Sequence, residues 1–484
     1  MTDRPLETQK RLFGNTVLLS GGDGVAQLAN FVFVVALART FGRDLLGVYA
    51  FAMAVGALLS VFVSLGTHRL VLRKLSREPE RTTEAVGALL AFQAGMAVAL
   101  VAAVHLAAQW LDASPLMVRA VTLLAGFHVL LRLTQLFVLG YTAREKMGPA
   151  AVVAAAERIT VLLLGGLAMA WGAGAELTLA SMPAAALLIL IVTGTYAARR
   201  FGRPRLRFQR AEIADYLRQA SPFFHVIVLA ALYLRLGIIY LTVLGGEAET
   251  GLFTSAEKLV AAAGMVQIMF SAALFPVVSR LWNGQREQFA DLMQRAGRLI
   301  LFLTLPIATL LALFAQDIVR ILYGDTFSDA AAVLAAVAWV LVLRGIWQLL
   351  ATAGQAADRP RLLVAGRGLG LAVLTLASLV LIPPYGAMGL VAAMLAAEIA
   401  SVALLHVLLQ RAGVPVMGFG SALRVVPACL LAAGLAYLTA DLALWLRLGA
   451  VAGGGAAALW LFGAIRSHDL TYLRAIADSR SGRR

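Results

Sequence analysis

Four arginines interrupt runs of apolar residues: Arg132, Arg158, Arg235 and Arg344. A charged side chain near the centre of a bilayer costs about 2.5–3.5 kcal/mol on insertion scales, so such residues face a cavity or a partner rather than lipid. A guanidinium also presents a planar fork of donors that matches the oxygens of a carboxylate or phosphate, where lysine offers only a point charge. Arg235 is deeper than Arg158 and is flanked by the aromatic residues Tyr233 and Tyr240. It reads equally as a substrate contact and as a structural cation. Arg132 and Arg344 read first as partners for carboxylates on neighbouring helices and second as substrate contacts. Arg158 follows Glu157 near the inner surface, where its long side chain can snorkel. Arg39, closing the first apolar run, is either a boundary anchor or a cavity residue.

Three carboxylates fall within or at the ends of the same runs: Asp23, Glu257 and Glu398. A carboxylate isolated in hydrocarbon takes up a proton readily, the chemistry that a proton-coupled transporter needs. For Asp23 that reading is favoured, because Gly21, Gly22 and Gly24 permit a break or close packing where an ion could reach backbone carbonyls. For Glu398, pairing with an arginine is favoured. The histidines in the runs, His105, His128, His225 and His406, lie on separate segments with no partner four residues away, and Cys429 is the single cysteine, so no metal site or disulfide is expected. Gly366, Gly368 and Gly370 mimic a dinucleotide fingerprint, but no strand precedes them and helix packing is the reading. No cofactor is called for.

The elements that must position these residues are membrane helices. Of 484 residues 61% are hydrophobic and only 14% charged, against roughly half and a quarter in soluble domains. Apolar runs recur at 14–38, 46–66, 85–110, 115–140, 150–171, 177–198, 217–243, 254–279, 297–319, 328–355, 362–382, 386–410, 423–443 and 449–465. Runs of about 20 residues are helix length, since a barrel strand needs only about ten. The predicted fold class is therefore all-α, with about 14 transmembrane helices. Pro183, Pro222, Pro276 and Pro306 fall inside or at the start of runs, as kinks that either bend or stay fixed.

Charge sets the orientation. With the N-terminus inside, 31 of the 41 Lys and Arg residues fall in inner segments and six in outer ones, the bias that insertion reads. Both termini are thus expected in the cytoplasm, and the net charge of +15 needs no nucleic acid to explain it. Arg199, Arg200, Arg203, Arg205, Arg207 and Arg210 crowd the middle inner loop, and Leu206, Phe208, Ile213, Tyr216 and Leu217 follow, which predicts an interfacial amphipathic helix on anionic headgroups. A short internal repeat, Gly47–Ala52 (GVYAFA) and Gly251–Ala256 (GLFTSA), opens the second and the eighth runs. The expected organisation is a six-helix bundle at 1–198, a basic loop and interfacial helix at 199–216, a second six-helix bundle at 217–410, and two further helices with a tail at 411–484. The repeat implies a pseudo-twofold along the membrane normal. External loops are short, leaving no outer domain to carry chemistry.

Leu37–Ala54, Ser64–Glu78, Leu139–Ala150, Leu244–Leu259, Leu274–Leu281 and Ile382–Ala393 together resemble, in order and spacing, the lipid-linked oligosaccharide flippase (polysaccharide transporter) branch of the multidrug/oligosaccharidyl-lipid/polysaccharide exporter superfamily. The resemblance runs over essentially the whole chain. It implies alternating access around a basic central cavity, export of undecaprenyl-pyrophosphate-linked sugars across the bacterial inner membrane, and a polysaccharide polymerase as a partner. It also makes Lys258, in Ala256–Leu259, match a functional basic position of the related lipid II flippases. The chain departs from many relatives in reading Arg235, Leu236, Gly237 where they carry R-I-D, and in lacking arginines within the first helix, which argues against lipid II as the substrate. Proton or sodium coupling stays open. The rival readings are a cation-coupled multidrug antiporter using Asp23 and Glu398, a membrane polymerase or ligase, and a membrane scaffold.

Overall fold

The computed structural model describes residues 4–417, apart from 112 and 206–209, together with scattered positions between 427 and 454. The described residues are helical throughout, joined by short turns: α1 (Arg4–Ser64), α2 (Thr67–Arg77), α3 (Thr82–Trp110), α4 (Pro115–Thr142), α5 (Gly148–Ala170), α6 (Ala175–Phe201), α7 (Arg210–Gly245), α8 (Glu247–Trp282), α9 (Arg286–Leu313), α10 (Ala315–Tyr323), α11 (Ala330–Ala356) and α12 (Pro360–Arg411). Ten of them are long and apolar enough to cross a membrane. Backbone polar groups in lipid must be satisfied within the segment, and helices do so. Large apolar side chains accordingly point outward, as at Val98, Leu163, Ile268 and Leu376. Trp110 and Trp171, ending α3 and α5 on one side of the bilayer, are exposed too, where an indole suits the interface.

Two of the ten are double. The apolar part of α1 spans 44 residues, about 66 Å of helix against a hydrocarbon core of about 30 Å. It breaks at Gly42, φ 79° and ψ −173°, a conformation only glycine adopts without strain. α12, 52 residues long, breaks at Gly386, φ 53° and ψ −129°, just after Pro383 and Pro384. The described residues thus hold twelve crossing segments, in register with the first twelve apolar runs. The runs at 423–443 and 449–465, and Cys429, lie outside the described residues but for scattered positions of the runs.

Some polar segments read as loops are helix. Arg69–Arg77 belongs to α2, with Val71 and Leu75 buried on one face and Arg73 and Arg77 exposed on the other. α9 starts well before its apolar run because Phe289, Leu292, Met293 and Ala296 form a buried stripe under a charged face. The basic segment after 205 resumes as α7 at Arg210, with Ile213 and Tyr216 buried, while 206–209 lie outside the described residues.

The contacts divide the chain into two compact units, residues 1–255 and 256–484. In the first, α1 packs on α4, α5 and α7, and α4 on α3 and α6. Phe33, Tyr49, Phe127 and Phe253 are its largest fully buried rings among the described residues. The repeat glycines meet there. A Cβ on Gly47 would overlap the Glu247 carbonyl, and one on Gly251 would overlap the Arg43 carbonyl. Each glycine therefore faces the residue four positions before the other, a reciprocal crossing of α1 on the first turn of α8 that only two bare backbones permit. At the basic end of this unit Asp215 accepts from Gln219 Nε2 at 2.6 Å and from Lys74 Nζ at 3.5 Å, and Lys74 lies 4.1 Å from the Tyr216 ring centroid, clasping α2 to α7. In the second unit α11 packs on α9 and α12, and Gln267 of α8 donates to the Leu341 carbonyl at 2.6 Å.

Two outcomes follow from this packing. Gly47→Ala should destabilise the protein by about 1–3 kcal/mol, because backbone cannot yield to the added methyl. Gly95→Ala, whose added Cβ meets nothing within 4 Å, should cost nothing in the same denaturant titration. The second outcome concerns pH. Gln219, and then Lys74 and Arg218, hold Asp215 below the usual carboxylate range. A depressed carboxylate stabilises above its unfolded value, about pH 4, and the contribution is lost as pH falls through the folded value. Hydrogen-exchange protection of residues 67–77 should therefore drop on acidification in the parent protein and be low, with little pH dependence, in Asp215→Asn.

Candidate functional site

In the first unit the arginines of three helices converge. Gly56, on the second limb of α1, lets α4 approach so closely that a Cβ there would lie 2.7 Å from His128 Nδ1 and 2.8 Å from the Leu124 carbonyl. His128 Nδ1–H donates to that carbonyl at 2.9 Å, since a carbonyl can only accept. The fields of Arg158 from α5, Arg235 from α7 and Arg132 from α4 all reach His128, and those of Arg158 and Arg235 reach Tyr49. Arg132 sits one turn beyond His128 and donates to Gln135 Oε1 at 2.9 Å. Arg235 is half-buried, with Tyr233 and Gly237 buried beside it and Tyr240 half-buried one turn on.

This cluster is short of acid. Glu157 is the carboxylate at Arg158, 3.3 Å from its Nε. Arg158 also stands 5.5 Å from the Phe127 ring centroid. Its Nη1 is buried without a hydrogen-bond partner among the described residues, as is the Tyr49 hydroxyl. Buried donors are ordinarily satisfied. Three guanidiniums, that of Arg158 with an orphan donor, are chemistry suited to a diffuse anion rather than to proton transfer or nucleophilic attack.

In the second unit the charges are spent on each other. Glu398 of α12, 1% exposed, accepts from Arg344 Nε of α11 at 3.3 Å and from Arg367 Nη1 at 2.9 Å. Arg367 lies across the break at Gly386, on the first limb of α12, so the triad ties both limbs to α11. Its guanidinium stacks 3.7 Å from the Trp347 ring centroid, and Gly366 admits the same ring, since a Cβ there would lie 3.0 Å from it. Arg367 escaped the sequence reading because it stands near the start of its run, where Arg359 and Arg361 made it look like part of the inner loop. Its position on the same helical turn as Gly366 and Gly370 is the signal that could have found it.

The other candidates stand apart. Asp23 is exposed on an unbroken stretch of α1, where Gly22 rather than a break provides close packing, against Ala151. Arg39 is exposed at the end of the first limb of α1. Lys258 and Glu257 are half-buried near the start of α8, and the field of Glu257 reaches Tyr323. No three of His, Cys, Asp and Glu cluster as metal ligands among the described residues.

Residues 12–282, more than half of the chain, match the model of the polysaccharide biosynthesis protein family. The chain belongs to that family. No curated protein sequence matches it significantly. Among solved structures, a lipid II flippase MurJ in an inward closed conformation superposes with a TM-score of 0.77 at 15% identity, covering 94% of this chain and 100% of its own. Inward-facing and outward-facing forms of a multidrug resistance MATE family transporter of the MOP superfamily superpose with TM-scores of 0.56 and 0.54 at 16% and 14% identity, covering 81% and 83% of this chain and 94% and 95% of theirs. At such identities the likeness is one of fold. This polysaccharide biosynthesis family member is a multi-pass membrane protein that shares its fold with those transporters, one of which is known in inward-facing and outward-facing forms.

The triad gives a sharp outcome. Glu398→Gln leaves two guanidiniums buried without a counter-charge and should cost about 3–5 kcal/mol in unfolding titrations. Replacing Glu398, Arg344 and Arg367 together with Leu, Met and Met should restore most of that stability, since an apolar set of similar volume has no desolvation cost to offset.

Proposed function

We propose that this protein flips an undecaprenyl-pyrophosphate-linked oligosaccharide across the bacterial inner membrane by alternating access, with both termini in the cytoplasm and no covalent step. The observation that carries the reading is the convergence of Arg132, Arg158 and Arg235 in the first unit, with Glu157 the carboxylate beside them. A pyrophosphate supplies the negative charge that such a cluster lacks, and forked donors bind it in two places at once. Tyr49, Tyr233 and Tyr240 give aromatic and hydroxyl contacts for a sugar, while the prenyl tail stays in lipid. Arg39, at the end of the first limb of α1, and Lys258, near the start of α8, are each proposed as a contact for the headgroup. Arg344 serves the triad, so its part in binding the substrate would come only if Glu398 released it.

The multidrug antiporter reading needs carboxylates open to a cation. Glu398 is held by two guanidiniums and Asp23 is exposed, so the geometry favours the anionic cargo. Coupling through Asp23, Glu257 or Glu398 to protons or sodium is a further proposal, as is delivery of the flipped unit to a polysaccharide polymerase. The two bundles of the proposal, at 1–198 and 217–410, are joined by the basic segment at 199–216, with 411–484 appended.

The test is export in cells lacking the chromosomal gene. Arg235→Ala should stop delivery of sugar lipid to the outer face and leave it accumulated on the inner face. Arg235→Lys should retain part of the activity, because the charge survives and the fork does not. Full export by Arg235→Ala would remove the residue from the mechanism. Unchanged sugar lipids together with sensitivity to cationic dyes on gene deletion would transfer the assignment to drug export.

A further inference from the structure

A second basic site lies at the membrane surface of the first unit, away from the arginine cluster. The C-terminal ends of α4 and α6 and the N-terminal end of α5 meet around a cavity of about 380 Å³. Its charged lining is Arg144, Lys146 and Arg200 against Glu80. The turn between α4 and α5 holds two of the cations on one lip. The amides of Arg144 and Lys146 both donate to the Tyr141 carbonyl at 3.0 Å, and Glu145 between them takes φ 58°. Arg144 is braced by bonds from its Nη1 to the Gly140 carbonyl at 2.8 Å and Thr82 Oγ1 at 3.1 Å, with its guanidinium 4.5 Å from the Phe201 ring centroid.

The wall of the cavity is aromatic. Tyr141 and Tyr196 stack at 5.8 Å with an interplanar angle of 12°. Tyr141 is 4% exposed, and its hydroxyl is a buried group with no hydrogen-bond partner among the described residues. From Tyr196, which is 60% exposed, the outward face of α6 continues as Val192, Ile191 and Leu188, all exposed. A cationic pocket that opens onto an apolar stripe one helical turn at a time suits a molecule with an anionic head and an acyl chain. A freely soluble anion would have no use for the stripe.

We propose that this cavity binds the phosphate headgroup of an anionic glycerophospholipid from the leaflet on the side of the basic loops, with an acyl chain along α6. Arg144, Lys146 and Arg200 take the phosphate oxygens, the Tyr141 hydroxyl donates to one of them, and the Tyr196 ring lies against the glycerol. The site is independent of which cargo the protein moves.

The test uses the full chain, purified and reconstituted in bilayers of phosphatidylcholine with or without cardiolipin, and then released into native mass spectrometry to count retained lipid. The parent protein should keep cardiolipin against excess phosphatidylcholine. Lys146→Ala combined with Arg200→Ala, both exposed residues, should lose retention by about tenfold or more. Tyr141→Phe should weaken it with an unchanged melting temperature. Arg359→Ala combined with Arg361→Ala, a basic pair outside the cavity, should leave it intact. Equal loss in both double variants would reduce the effect to general leaflet attraction and overturn the site. Retention unchanged in Lys146→Ala with Arg200→Ala would overturn it as well. Displacement of cardiolipin by millimolar inorganic pyrophosphate would reassign the cavity to a soluble anion and overturn the lipid proposal.

Discussion

The cost of placing a charge where water is excluded governs this protein. Lipid offers no compensation, so each intramembrane guanidinium must find an acid, a ring or a cargo. The two units answer differently. In the second, Glu398 sits between Arg344 and Arg367, with the Trp347 ring under the latter. In the first, Glu157 stands beside Arg158, while Arg132 and Arg235 add further positive field at His128. The triad thus sets one carboxylate against two guanidiniums, and the cluster of the first unit sets one against three.

The same constraint explains the glycine usage. Helices that carry charge must pack tightly enough to keep it from lipid, and close approach needs bare backbone. Gly56 brings α4 and its His128 against α1, Gly366 seats Trp347 beneath Arg367, and Gly47 and Gly251 let α1 and α8 cross carbonyl on Cα. Gly42 and Gly386 act otherwise: their positive φ turns two very long helices into four crossings. The glycines around Asp23 show the limit of the pattern, for only Gly22 of the three is in contact and the helix runs on unbroken.

Transport by rocking asks for rigid blocks with charge at a place both faces can reach. The triad ties both limbs of α12 to α11. Interior Pro183, Pro276 and Pro306 are accommodated within continuous helices α6, α8 and α9. The clasp of Lys74, Asp215 and Gln219 does similar service at the basic end of the first unit, where it joins the short amphipathic α2 to α7.

The sequence by itself determined the class and the first twelve crossing segments. Apolar length and the distribution of lysine and arginine are local properties that the bilayer reads one segment at a time. It also marked Arg132, Arg158, Arg235 and Arg344 as residues needing a partner, because the cost of their burial does not depend on the neighbours. Only the tertiary structure decided which partner each one has. Arg344 and Glu398 are 54 positions apart and meet because α11 packs on α12. Arg367 joined them though its place near a helix start hid it, and α2 and the start of α9 formed as helices because their buried stripes had a core to face. Glu157 stands next to Arg158 in the chain, but pairing of distant charges and burial of one helical face are properties of the neighbourhood, which no short window of sequence contains.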